Sequence, residues 1–479
     1  MTTRSPGAAS MPAAPSPLNT PIASPVATLA DWSAIVIASA RTEVDGSVRP
    51  LALQPVAGVP MVRLICGLLR DLGCPRVVVV TDGDLDAFAT AIGELGPVAS
   101  TPLGSGASGA LIAARDLIEP RGNVLVIPGD MPVLATRTLL AFAGRHLSGS
   151  EALTFLSAYL LDPRGHGRVQ RRDGHVEGVA RELDALSTSR GQLEVCAGLY
   201  AADAAWLFDA MSLLAPSADD EDALEGLVTL AVAGGGVNAF QVAEAVDVQH
   251  VTDRVQLAQA DRVMRDRVRE RLMRGGVTLM DPATIYVDAG VEVAPDTTLL
   301  PGTHLMGTTR IARGCTIGPN AILRDMTIGE RCEIGGSTLE GSTLATGVTV
   351  GPYCHVRPGS TIDQDVHLGN YAEVKASHIG ARTAVGHFSY IGDSEVGVDV
   401  NVGAGSITAN YDGVEKHRTV IGDGVHLGSD TIMVAPVTIG AGASTGAGAV
   451  VVDDVAPGAL VIGVPARPRG AAGEGGQAT

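Results

Sequence analysis

Residues 350–374 read Val350-Gly-Pro-Tyr-Cys-His-Val356-Arg-Pro-Gly-Ser-Thr-Ile362-Asp-Gln-Asp-Val-His-Leu368-Gly-Asn-Tyr-Ala-Glu-Val374, with an aliphatic side chain at every sixth position. The register runs upstream through Val287, Val293, Leu299, Leu305, Ile311 and Ile317, then Ile328 and Ile334. Downstream, with five-residue steps, it passes Ile379, Val385, Ile391, Val396 and Val402, and after a break it resumes at Ile421, Leu427, Met433 and Ile439. Such a register reads as a parallel β-helix of hexapeptide repeats: each six residues form one short flat strand, and three strands make a triangular coil. The inward aliphatics stack into a core, and Gly or Asn takes corners that need positive φ.

Stacking turns sequence spacing into contact, because residues three repeats apart lie about 4.8 Å apart along the ladder. Arg357 follows Val356 and Lys375 follows Val374, so the two cations are expected one above the other on one edge. Like charges so placed repel unless an anion sits between them. The same count puts Ala404 over His387, and the histidine, with Tyr390, Asn401, Asn410 and Tyr411, within one or two coils of that anion site. Singly, an exposed Arg or Lys is ordinarily a solvated face and a lone His ordinarily structural. Their convergence makes them candidates.

The 479 residues suffice for two domains or more. Sixty glycines (60) and 3% aromatics suit a Gly-cornered coil. A net charge of −18 argues against nucleic acid as the main partner. Cysteines 66, 74, 196, 315, 332 and 354 form no CxxC pair, so neither a disulfide framework nor a zinc knuckle is indicated, and a reducing cytoplasm is expected. No stretch reaches the roughly 18 consecutive apolar residues of a membrane span.

Residues 1–32, rich in Pro, Ala, Ser and Thr, read as a disordered tail. From there strand and helix alternate: Ala34–Ala38, Met61–Leu72, Arg76–Thr81, Asp84–Ile92, Ser108–Ile118, Asn123–Pro128 and Thr136–His146. This predicts a Rossmann-like α/β domain with a largely parallel sheet over residues 33–252. Pro128-Gly129-Asp130 closes an apolar strand and offers Asp130 to a cation, while Leu103-Gly104-Ser105-Gly106 opens a helix whose amides suit a phosphate. Both signals are weak alone, since a strand-ending Gly-Asp is often just a turn. Residues 253–276 read as a charged linker helix stopped by Gly275-Gly276, residues 277–467 as the coil, and 468–479 as a second disordered tail.

The coil motifs Gly351-Pro-Tyr-Cys-His-Val-Arg-Pro-Gly359, Gly386-His-Phe-Ser-Tyr-Ile-Gly-Asp393, Asn401-Val-Gly-Ala-Gly405, Ala409-Asn-Tyr-Asp-Gly413 and Gly428-Ser-Asp430 closely resemble the GlmU family. The resemblance implies a C-terminal left-handed β-helix that acetylates glucosamine-1-phosphate from acetyl-CoA, and an N-terminal nucleotidyltransferase domain that uridylylates the product with UTP, giving UDP-N-acetylglucosamine. It makes His387 the base; Arg357, Lys375, Tyr390, Asn401, Asn410, Tyr411 and Lys416 the sugar-phosphate ligands; and Ala404 and Ser429 acetyl-CoA contacts. It assigns the nucleotide to Gly104, Ser105 and Gly167, a metal to Asp130, and a homotrimer to the assembly.

Several positions depart from the family pattern. Gly463 stands where a coenzyme arginine is usual, with Arg467 nearby as a substitute. By alignment outward from Ala57-Gly58, Val44 replaces the catalytic Arg and Leu51 the Lys; Arg41 or Arg49 are the cations able to move into those places. Thr252 stands for a metal-binding Asn, Arg181 for an acidic sugar contact and Cys196 for an amide one. The expectation is an acetyltransferase whose uridylyl transfer is lost or impaired, with Mg²⁺ needed only if the N-terminal domain is active. The alternatives are a fully bifunctional enzyme, or a non-catalytic scaffold or regulator.

Overall fold

A computed structural model describes residues 28–38, 49–103, 105–160, 166–180, 193–213, 220–234 and 236–469. Gly104, Arg41, Val44, Arg181 and both expected tails apart from residues 28–32 and 468–469 lie outside these. The chain divides into two compact units at His250 and Val251, with Leu53–Met61 grouping with the second.

In the first unit the strands are β1 (Trp32–Ile37), β4 (Arg76–Thr81), β5 (Val98–Ser100), β6 (Asn123–Pro128), β7 (Leu153–Tyr159), β8 (Arg168–Arg172), β9 (His175–Ala180), β10 (Glu194–Asp203) and β11 (Val237–Gln241). Labels β2 (Pro55–Val56) and β3 (Val59–Pro60) belong to a hairpin of the second unit. The main path of the sheet runs β11-β7-β10-β6-β1-β4-β5, with β8 paired to β10 and β9 to β8. It is parallel at β1–β4, β1–β6, β4–β5 and β11–β7, while β10 runs antiparallel to both neighbours. The buried runs Val77–Val80 and Val124–Ile127 explain why these strands are central: both faces are covered. The expected helices are present as α1 (Met61–Asp71), α2 (Leu85–Ile92), α3 (Gly106–Arg115) and α4 (Thr136–Ser148), with Asp84 capping α2 as its carboxylate accepts from Asp86 and Ala87 amides. Two further helices follow, α5 (Ala204–Met211) and α6 (Asp220–Gly234).

The second unit opens with α7 (Arg254–Arg274), capped by Asp253, whose carboxylate accepts from the Gln256 amide at 2.7 Å. Val268 and Leu272 sink into the coil core while Arg265 pairs with Asp261 and Asp288 at 2.8 and 3.1 Å. Here the Ala57-Gly58 turn docks: the Asp261 carboxylate accepts from the Ala57 amide at 2.7 Å, and a Cβ on Gly58, at φ +77, would lie 2.2 Å from Asp288 Cγ. Only glycine fits there.

From Thr278 onward the chain winds through three ladders of 12, 10 and 9 strands, parallel throughout except that the last strand, Arg467–Arg469, pairs antiparallel with Leu460–Ile462. The sixth-residue aliphatics face inward: Val350, Val356, Ile362, Leu368, Val374, Ile379, Val385 and Ile391 are all at most 4% exposed. Serines and threonines beside them are buried, most with their hydroxyls bonded to the winding backbone, as where Ser389 Oγ donates to the His387 carbonyl at 2.8 Å, while Thr419 Oγ1 is buried without a partner. Among the described residues no helix is long and apolar enough to cross a membrane.

Candidate functional site

Ladder register fixes the height of each candidate. Val356 pairs with Val374, so Arg357 and Lys375 stack one rung apart as the spacing predicts. Val385 pairs with Val402, and Val402 with Leu427, so His387, Ala404 and Ser429 form one column on a corner. Leu368 pairs with Val385, which puts Asn370 directly below the histidine. Asn370 Oδ1 contacts His387 Nδ1 at 2.5 Å. A carbonyl oxygen only accepts, so Nδ1 carries the proton and Nε2 keeps the lone pair.

The cations gather on a different corner. Asp393 Oδ2 accepts from Lys375 Nζ at 3.3 Å and from Asn410 Nδ2 at 2.5 Å, while the Tyr390 hydroxyl lies 3.4 Å from the same amide nitrogen. Arg357 pairs with Glu373 at 3.0 Å. The break in the repeat is a loop between the strands Ile407–Ala409 and Thr419–Ile421, folded back by a Tyr411–Lys416 bridge and by the Asp412–His417 pair at 2.6 Å. It returns Lys416 to the cluster: the Lys375 ammonium beside it, and Arg357 further off, hold Lys416 below the usual lysine range despite Asp393. Three cations against the two carboxylates Glu373 and Asp393 leave an excess positive charge, which is the electrostatic signature of an anion site.

Within one chain these corners stay apart. Lys375 pairs with Gly392, which ends the strand Tyr390–Gly392 five residues beyond His387 and past the bend at Phe388, on the order of 15 Å across the face. Asn401 lies on another face again, its Nδ2 3.2 Å from His426 Nδ1. His387 thus lies within one coil of the cation cluster in height along the axis and at a different position around it. Arg467 meets Asp453 at 3.4 Å, on the last strand pair.

In the first unit, Asp130 follows β6 and its Oδ1 contacts His250 Nδ1 at 2.9 Å. The other ring nitrogen, Nε2, faces the Ala197 carbonyl at 3.1 Å. That carbonyl is presented by an irregularity in β10 between Cys196 and Tyr200, where Gly198 takes φ +73. Burial disfavours charge on His250, but Asp130 and the carbonyl outweigh it and raise its pKa above the ordinary value. Ser105 Oγ is turned into its own loop, 2.5 Å from Thr101 Oγ1 and 2.7 Å from the Pro102 carbonyl, and the Gly167 carbonyl accepts from the Cys196 amide at 2.9 Å. Thr252 gives both its amide and hydroxyl to Gln256 Oε1, at 2.6 and 2.7 Å. Leu51 opens a 3₁₀ turn and brings no charge. Sequence reasoning missed Asn370, Glu373, Asp393 and His250; register counting would have found Asn370 and Glu373, but His250 lies 120 residues from its partner.

Residues 38–166 match the MobA-like NTP transferase domain. Over 415 residues the chain is 38% identical to the bifunctional protein GlmU of Geobacillus thermodenitrificans, covering 86% of this chain and 90% of that protein. The GlmU of Pelobacter propionicus is 38% identical over 438 residues, 90% of this chain and 95% of the relative, and that of Clavibacter sepedonicus 38% over 425 residues, 87% and 86%. At this identity and coverage, across both units, the chain belongs to the GlmU family.

Proposed function

We propose that the protein transfers the acetyl group of acetyl-CoA to the amine of glucosamine-1-phosphate, with His387 as general base. The observation that carries this reading is the corner column: an imidazole oriented by Asn370 with its Nε2 lone pair available, continued by the small side chains of Ala404 and Ser429, along which a pantetheine arm can lie. Nε2 takes a proton from the sugar ammonium, the freed amine attacks the thioester carbonyl, the nitrogen of the tetrahedral intermediate gives up its second proton to solvent, and collapse expels CoA thiolate, which the imidazolium reprotonates. The Arg357, Lys375 and Lys416 cluster supplies the phosphate site, Tyr390, Asn410 and Tyr411 its sugar-facing flank.

In glucosamine-1-phosphate the amine and the phosphate sit on adjacent ring carbons, so one sugar cannot reach from the cations to His387 across a whole face of the same coil. A second copy solves this by laying its cation corner beside the first copy's histidine corner and Asn401, and three copies close the ring; the reading therefore includes a homotrimer. Exposed Tyr353, Tyr371 and Phe388, stacked at 5.2 and 4.9 Å next to His387, provide apolar surface for that contact. The enzyme works on small molecules in the cytoplasm.

Uridylyl transfer is lost or impaired in this reading, because Leu51 and Val44 bring no cation to a reaction that depends on charge stabilisation. Full bifunctionality is the second reading, favoured by the relatives' name and by the coverage of both units. The test of acetyl transfer is CoA thiol release on adding glucosamine-1-phosphate, which His387→Ala should slow about 10²–10⁴-fold; an unchanged rate overturns the assignment. Pyrophosphate release from UTP and N-acetylglucosamine-1-phosphate at a rate comparable with acetyl transfer would instead establish bifunctionality.

A further inference from the structure

Lys416, the third cation of the anion corner, lies outside the three ladders. Arg357 and Lys375 each follow a buried rung, Val356 and Val374, and inherit its position. Lys416 instead rides on the exposed segment 411–416, where Lys375 first and then Arg357 repel it. A long side chain on an exposed loop gives up rotamer freedom and meets like charge by standing there, so its backbone must be held. Asp412 and His417 do the holding. Asp412 Oδ1 accepts from the Val414 and Glu415 amides, both at 2.8 Å, which closes the turn. A carboxylate only accepts, so His417 Nε2 carries a proton and donates it to Asp412 Oδ2 at 2.6 Å. The His417 amide donates to the Asn410 carbonyl at 2.8 Å, which ties this residue by ring and backbone to the outgoing limb of the loop. Lys416 lies between that anchor and the turn, bridged to Tyr411, whose hydroxyl donates to the Gly413 carbonyl at 2.7 Å. These donors, His417 foremost, hold the Asp412 carboxyl well below the usual carboxylate range.

We propose that Asp412 and His417 are positioning residues: they strap the loop so that Lys416 stands in the anion corner before the sugar phosphate arrives, against the repulsion of Lys375 and Arg357. A cation placed in advance spares the ligand the cost of ordering the loop as it binds. This deepens the reading of the corner as a sugar-phosphate site and rests on it. Binding measured without turnover tests the strap apart from acetyl transfer, so either statement can fail without the other.

The experiment titrates the full-length protein with glucosamine-1-phosphate in a calorimeter, without acetyl-CoA. His417→Ala should weaken binding roughly 2- to 13-fold, the net worth of one hydrogen bond. His417→Gln, whose amide nitrogen reaches where Nε2 stands, should restore it. Lys416→Ala should weaken binding at least as much, and Lys416→Ala combined with His417→Ala no further, because His417 acts through Lys416. In acetyl transfer the His417→Ala change should fall on KM for the sugar phosphate and spare KM for acetyl-CoA. Retained melting temperature shows that each variant is folded; if His417→Ala fails this check, His417→Phe, which fills the space of the ring without a donor, decides. Undiminished binding by the folded variant overturns the proposal, and so does a loss that adds in full to that of Lys416→Ala. Wild type that binds the sugar phosphate in the expected pattern and transfers no acetyl group upholds the strap and overturns the acetyltransferase reading.

Discussion

Removing the amide of Asn370 separates orientation of the base from the base itself. Asn370 makes one hydrogen bond to an exposed histidine, through Oδ1 to Nδ1 at 2.5 Å. Such a bond is worth about 0.5–1.5 kcal/mol net, so Asn370→Ala should lower kcat roughly 2- to 13-fold, a tenfold change corresponding to about 1.36 kcal/mol. KM for both substrates should change little, since neither the cation corner nor the Ala404–Ser429 column is touched. Asn370→Asp is the discriminating variant. Its carboxylate accepts from Nδ1 as the amide does, which restores orientation, but it also favours the imidazolium, so the acid limb of the kcat profile should move to higher pH with near wild-type rates on the plateau. Measuring acetyl transfer by thiol release across pH 5 to 9 reads both effects. A loss in Asn370→Ala as deep as in His387→Ala, or an unmoved acid limb in Asn370→Asp, would refute the orienting role.

Arg357→Ala should raise KM for the sugar phosphate with little change in kcat, because a phosphate contact present in both ground and transition states contributes uniform binding; equal use of unphosphorylated glucosamine by wild type would contradict the anion site. His378 sits between Glu395 at 2.5 Å and Asp363 at 3.0 Å, and these carboxylates, Glu395 first, raise its pKa, with Arg418 bound to the far oxygen of Glu395. A raised folded value means stability present at acidic pH and lost as pH climbs through that value, so wild type should lose more melting temperature than His378→Gln over that climb. The clamp is over a third exposed, at 38% for the histidine, which limits the effect to under about 1 kcal/mol. Ile391→Ala, in the fully buried stack beside Tyr390, should cost about 2–5 kcal/mol in denaturant unfolding; a cost below about 1 kcal/mol would mean the rung is not packed as described.

A period of six is a local property, and it was enough to assign residues to rungs: Lys375 over Arg357 and Ala404 over His387 followed from spacing alone, because ladder pairing repeats the same register coil after coil. Helix and strand alternation before His250 was legible for a similar reason, since buried valine runs and capping residues such as Asp84 act within a few positions of themselves. The same three-step count assigns Lys375 and His387 to different columns, but the five-residue steps and the extruded loop before Thr419 shift the phase, and the closed triangle sets the distance between those two corners of one face. Lys416 reaches the cations because a loop folds back, and His250 reaches Asp130 because the chain beyond β11 and the 3₁₀ turn Ala245–Val248 returns to the end of β6. Those contacts join residues whose separation in the chain carries no period, so the tertiary structure alone decides them.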